Sequence, residues 1–288
     1  VTRELIGGND IYHEVQGAGE PVLLLHGGFC SIETMRPQMD ALTTRYTVYA
    51  PERPGHGRSP DVAGPFTYAQ SVADTLAYLD HVGVDRAHLV GFSDGAIIGL
   101  MIAIQYPERV RSLVAISGNL DPSAFTFDEL SQGDATERHD AASEVQDERI
   151  DGNAGTADAV ETSDGNTDIT DGSTATAGAP RDRTHQLYDE LSPDGPEHAG
   201  VILSKLERLW TNEPHIAPEE LSRVAAPTMI MAGDQDVIAP EHSRLMAFSI
   251  PAGELCIVPG AGHDLLERRP DFVTCAIQDF LITSASGS

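Results

Sequence analysis

Lysine is almost missing from this chain. Lys205 is the single one, every other member of the 18 Lys plus Arg is arginine, and 45 Asp plus Glu bring the formal net charge of the 288 residues to -27. A chain so poor in positive charge has no basic face for a phosphate backbone, which argues against nucleic acid as a partner. Cysteine is equally sparse, since Cys30, Cys256 and Cys275 are odd in number and far apart. Their spacing excludes a disulfide framework and a zinc-type site, and it points to a reducing, cytoplasmic setting. No apolar run approaches the roughly 18 residues needed to span a membrane. The opening stretch VTRELIGGNDIYHEV also lacks the apolar core of a signal peptide. The expectation is a soluble intracellular protein with no membrane partner. No internal repeat is visible at any solenoid period, and tryptophan occurs once, as Trp210.

Another absence is local. Between Ser131 and Pro180 there is no Leu, Phe, Trp or Tyr, and twelve Asp or Glu stand against two Arg. Such a segment buries too little apolar surface to offset its ordering entropy, so it reads as a solvated acidic insertion. On either side of it, FTFDEL and HQLYDELSPDGPEHAGVILSKLERLWTNEP look helical and suit a small cap over one end of a sheet.

What is present elsewhere is a rhythm of short apolar runs: PVLLLHGG, RYTVYAPER, RAHLVGFS, VRSLVAIS, APTMIMAGD and ELCIVPGAG. Continuous rather than alternating runs fit strands buried on both faces, hence an α/β architecture with a parallel sheet covered by helices. Thr67 reads as the N-cap of a helix that closes near Gly83, with Val72, Leu76 and Leu79 on its buried stripe. The segment AIIGLMIAIQYP is apolar nearly all round and reads as a helix buried on most sides. A last helix, from about Pro270 to Ile282, would pack through Phe272, Ile277, Phe280 and Leu281.

The sequence GFSDG, Gly91 to Gly95, matches G-x-S-x-G. Alone it is weak, but a buried strand runs into it and a helix runs out, which would leave the Ser93 hydroxyl exposed on a tight strand-to-helix turn. A hydroxyl is a poor nucleophile at neutral pH, so a base and an acid to orient that base are also needed. In chain order, LLLHGGF, PERPGHGRS, GFSDG, GDQDVI and PGAGH together resemble the α/β-hydrolase fold superfamily, over essentially the whole chain except Ser131 to Pro180. The serine in the elbow points to its serine-nucleophile branch, unlike epoxide hydrolases and haloalkane dehalogenases, which carry an aspartate there.

The resemblance implies the following roles. His263, after the last strand, is the base, and Asp236 is the acid that reaches it, with Asp234 capping the loop. A rarer variant of the fold places the acid one strand earlier, where Asp121 stands. The oxyanion hole would use the backbone N–H of Asp94, at the start of a helix, and one from HGGF, with Gly28 first and Phe29 next. The Phe29 side chain and Trp210 would line the substrate pocket. His56 and Arg58, in ERPGHGRS, would support the elbow from below. G-x-S-D-G also resembles the valacyclovirase-like branch, in which Asp94 would hold a substrate ammonium by a charge-assisted hydrogen bond. The plainer reading of Asp94 is a favourable helix-dipole residue.

The domain layout expected is a core in two parts, 1–120 and 216–288, with a cap region 121–215 that contains the insertion 131–180. The activity implied is hydrolysis of a small carboxylic ester or related acyl compound through an acyl-enzyme, without metal or organic cofactor. Its rivals are an α-amino-acid ester hydrolase or iminopeptidase and a non-catalytic ligand-binding relative. The acidic, lysine-poor composition also resembles proteins of salt-loving microbes, in which molar salt screens self-repulsion. The sequence is silent on oligomeric state.

Overall fold

A computed structural model describes residues 2–126 and 183–285 of the chain. It opens with an antiparallel hairpin of β1 (Thr2–Ile6) and β2 (Asn9–Gly17). The hairpin turns at Gly7 and Gly8, both at positive φ, the conformation that a tight two-residue hairpin turn requires. Strand β3 (Glu20–Leu25) leads through helix α1 (Arg36–Leu42) to β4 (Tyr46–Pro51), and α2 (Tyr68–His81) leads to β5 (Ala87–Phe92). Helix α3 (Asp94–Gln105) then crosses to β6 (Val110–Ile116). After the undescribed segment come α4 (Arg183–Leu191) and α5 (Ala199–Asn212). The chain closes with β7 (Thr228–Gly233), α6 (Pro240–Ser249), β8 (Gly253–Val258), α7 (Leu265–Arg268) and α8 (Pro270–Ala285).

Among the described residues the strands form one eight-stranded sheet in the order β1-β2-β4-β3-β5-β6-β7-β8. Every pairing from β4 to β8 is parallel, and only the hairpin and the β2–β4 pair run antiparallel. The side-chain period of two sends successive residues to opposite faces. Leu23 and Leu25 thus pack with α2, α3 and α5 on one side, while Val22 and Leu24 pack with α1, α7 and α8 on the other. This is the two-sided burial that the continuous apolar runs imply, and all six runs are strands.

The exception in burial is β8. Its run looks like a core strand, yet it is the sheet edge and is only partly covered, with Ile257 36% exposed. The Thr67 side chain accepts from the Gln70 backbone N–H and caps α2, and Val72 and Leu79 are buried beneath it. Helix α3 is buried along almost its entire length. In α8, Ile277, Phe280 and Leu281 face the core as expected, but Phe272 points outward and Val273 takes the buried place. That residue completes the i, i+4, i+7, i+8 stripe that starts at 273.

One reading beside the insertion changes. Phe125 and Thr126, the start of FTFDEL, are extended and pair with Ile238 and Val237 instead of opening a helix. The rest of FTFDEL and the acidic stretch 131–180 lie outside the described residues. No helix among the described residues is long and apolar enough to cross a membrane.

Candidate active site

The ends of β3, β5 and β6 converge on one spot, and each is followed by a non-glycine residue at positive φ: Phe29 at 54°, Ser93 at 52° and Ser117 at 53°. Side chains rarely adopt this conformation, and each instance costs about 1–3 kcal/mol, so three together mark a region the rest of the fold holds in place. At Ser93 the turn is possible because its flanking glycines let backbone pass closely. A Cβ on Gly91 would lie 2.2 Å from the Gly95 carbonyl oxygen, and one on Gly95 would lie 2.0 Å from that of Leu25. The Ser93 hydroxyl therefore stands proud at the head of α3.

His263 lies beyond β8 on the loop into α7. Its Nε2 is 3.0 Å from Ser93 Oγ and its Nδ1 is 2.9 Å from Asp236 Oδ1. Burial by itself would raise the pKa of Asp236, but hydrogen bonds from His263, the Ser117 hydroxyl and the Ile238 N–H outweigh it and leave the carboxyl below its ordinary value. A carboxylate can only accept, so Nδ1 carries the proton and Nε2 is left free to accept from the serine. Ser117 Oγ donates to Asp236 Oδ2 at 2.5 Å, which fixes the second carboxylate oxygen. Asp234 accepts from the N–H groups of Gly260 and Ala261 and so holds the His263 loop. Asp121 is engaged elsewhere, with Ser123 and His215.

Facing this set, Asp94 is 1% exposed and accepts three hydrogen bonds. Tyr68 Oη and Trp210 Nε1 each donate to Oδ1 at 2.9 Å, and Arg53 donates to Oδ2 at 3.3 Å. Burial, together with the neighbouring Asp94 charge, holds the Tyr68 phenol well above its ordinary pKa, which keeps it a donor. Arg53 also donates to the Gly27 carbonyl at 2.9 Å. The neighbouring His26 is fully buried, and burial lowers its pKa to about 3. As a neutral ring it donates from Nδ1 to the Gly27 carbonyl and accepts the Arg53 N–H on Nε2. The HGGF loop is thus pinned by its own histidine and by Arg53, just past the end of β4.

A model of the alpha/beta hydrolase fold matches residues 20–270. The chain belongs to the α/β hydrolase family. A protein of Azorhizobium caulinodans provisionally named carbamate hydrolase RutD is 40% identical over 112 residues, 39% of this chain and 42% of the relative. One from Caulobacter sp. strain K31, under the same provisional name, is 26% identical over 290 residues, 96% of this chain and 97% of the relative. The match spans under half of the first relative's length and nearly all of the second's. Among solved structures, a thermophilic esterase from Thermogutta terrifontis aligns with a TM-score of 0.69 at 20% identity, over 99% of both chains, a likeness of fold.

In this α/β hydrolase a cavity of about 310 Å³ opens over Ser93, Asp94 and His263. Among the described residues its wall is largely apolar, with Ile97, Phe125, Trp210, Val237 and Ile238, and Asn119 is a polar exception. Trp210 lines this cavity. Phe29 does not, because its ring stacks on Tyr188 of α4 at 5.0 Å and meets His185 edge-on at 4.9 Å. With positive φ at Phe29, the side chain is turned under α4 and away from the cavity. The ERPGHGRS loop is organised by Glu52, fully buried, which accepts from the Ile32 and Arg58 N–H groups and the Arg58 guanidinium. His56 is likewise buried, on the Pro54 carbonyl. Ser117, Tyr68, Arg53 and His26 escaped sequence reasoning; of these, only His26 had a signal, the H-G that opens its loop.

Proposed function

We propose that this α/β hydrolase is a serine hydrolase of small, uncharged acyl compounds, with carboxylic esters as the first substrate class. The observation that carries the reading is the continuous contact from Asp236 through His263 to Ser93 at the floor of an apolar cavity. Ser93 Oγ attacks the acyl carbon as His263 Nε2 takes its proton, and the same imidazolium then protonates the leaving oxygen. Asp236 keeps the tautomer and stabilises the cationic ring. Water activated by His263 cleaves the acyl-enzyme and restores the serine. The oxyanion is assigned to the Asp94 N–H, free at the start of α3, and to the Gly28 N–H, with Phe29 as the alternative donor.

What supports an uncharged substrate over an ammonium-bearing one is the state of Asp94. Its oxygens are already taken by Tyr68, Trp210 and Arg53, and the Arg53 charge is compensated there. The cap assignment for 121–215 is part of the same proposal, supported by α4 and α5, which bring Tyr188 onto Phe29 and Trp210 onto the cavity. A cytoplasmic, high-salt setting rests on composition and the three free cysteines.

Carbamates form the second reading, favoured by the provisional names of the two relatives. A carbamate presents the same carbonyl to Ser93 but leaves a carbamoyl-enzyme that hydrolyses slowly. The test compares an ester and a carbamate with the same chromogenic leaving group. A kcat/KM for the ester at least tenfold higher, with no burst, supports the first reading. A carbamate turned over without stalling supports the second, and turnover of neither would favour a non-catalytic ligand-binding protein.

A further inference from the structure

Trp210 touches both segments that frame the proposed oxyanion. Its indole N–H sits on the carboxylate of Asp94, the residue directly after Ser93, at 2.9 Å. Its ring lies against Gly28 so closely that a Cβ there would be 2.5 Å from Cζ2 of the indole, and the same Cβ would be 2.8 Å from Asp94 Oδ2. Arg53 closes the circuit, donating to Asp94 on one side and to the Gly27 carbonyl on the other. The two backbone segments come from β3 and β5, whose register ends at the Leu25–Gly91 pair, and these side chains bridge them beyond it, one of them from α5. That helix is itself fixed to the loop after β4, where Lys205 pairs with Asp61 at 2.7 Å and Ile202, Leu206 and Leu209 are buried.

We propose that Trp210 is a positioning residue, whose indole N–H holds Asp94 and, through it, the oxyanion donors in register with the HGGF loop. The inference deepens the serine-hydrolase reading and rests on it. The N–H acts on the transition state through Asp94, whereas the ring wall acts on substrate binding, so the two contributions separate into kcat and KM. Displacing an oxyanion donor by a fraction of an ångström weakens a contact whose complete loss costs about 100-fold or more in kcat.

Because Trp210 is the only tryptophan, biosynthetic replacement of tryptophan by β-(3-benzothienyl)alanine changes this side chain alone. It exchanges the N–H for sulfur and keeps the shape. The expected result is a fall in kcat of about tenfold, the order of one hydrogen bond to a charged group, with KM within about twofold. Gly28→Ala provides a second route, since the methyl must displace the indole. It should shift the tryptophan emission and lower kcat together. A benzothienyl protein with wild-type kcat would overturn the positioning role, as would a Gly28→Ala protein with displaced emission and unchanged kcat. Neither outcome touches the serine reading as long as fluorophosphonate labelling stays dependent on Ser93. Labelling that persists in Ser93→Ala would refute that reading instead.

Discussion

The turn after β5 and the turn after β7 each bury an aspartate beside the candidate site, and they use it in opposite ways. Asp236, after β7, takes the Ser117 hydroxyl on Oδ2 and shares Oδ1 between the Ile238 N–H and His263, whose ring is partly open to the cavity. Asp94, after β5, gives both oxygens to permanent protein donors and faces a buried arginine. In the proposed mechanism one carboxylate is held ready for a group that changes charge during the reaction. The other is closed into the scaffold. Burial and hydrogen-bond count alone do not separate the two; what separates them is whether an imidazole or only scaffold donors sit on the carboxylate.

The contrast is broken most sharply by exchanging what each aspartate provides. Asp236→Asn leaves the shape intact but removes the charge that fixes the His263 tautomer, so kcat on the best ester should fall about 10⁴-fold with little change in melting temperature. Asp94→Ala should do the reverse on stability. It leaves Arg53 buried without its carboxylate, at a cost of about 3–5 kcal/mol in urea unfolding, and the double change Asp94→Leu, Arg53→Met should recover most of it. If Asp94→Ala were as stable as the wild type, the closed reading of this turn would fail.

A smaller effect is expected at Ser117→Ala. Loss of its hydrogen bond removes one of the donors that hold the Asp236 carboxyl below its ordinary pKa and frees its second oxygen, so kcat should fall by about two- to tenfold with KM unchanged. An unchanged kcat would mean that Ser117 only fills space. A slope with pH, and no step in activity, is expected from His26. Its folded pKa of about 3 lies below the unfolded value near 6.5, so between those limits the unfolded chain binds the proton that the folded one refuses. Stability should then fall as pH falls through this window, by at most about 1.4 kcal/mol per unit from this group. His26→Gln should flatten that slope in chemical denaturation.

Much of this was legible in the sequence, for reasons that differ between regions. The six parallel strands were visible because two-sided burial demands uninterrupted apolar runs, and Ser93, His263 and Asp236 follow strand ends whose order the motifs mark. The β1–β2 hairpin was not recognised, since its strands are charged and half-exposed, although Gly7–Gly8 gave a turn signal. The edge position of β8 was hidden because an apolar run says nothing about which neighbour is missing. Tyr68, Arg53 and Ser117 lie 26, 41 and 119 residues from the carboxylates they serve. No local pattern encodes such contacts; they exist only once the strands are stacked. The displaced ring of Phe29 follows from a backbone conformation that its residue type gave no reason to expect.

The central claim is that Ser93 is the nucleophile, and covalent labelling tests it most directly. The intact protein in molar salt is treated with a fluorophosphonate, digested, and the modified peptide read by mass spectrometry. The account predicts one adduct per chain on Ser93, loss of esterase activity in proportion, and neither adduct nor activity in Ser93→Ala. Activity retained in folded Ser93→Ala, or an adduct on another serine with Ser93 untouched, would contradict it.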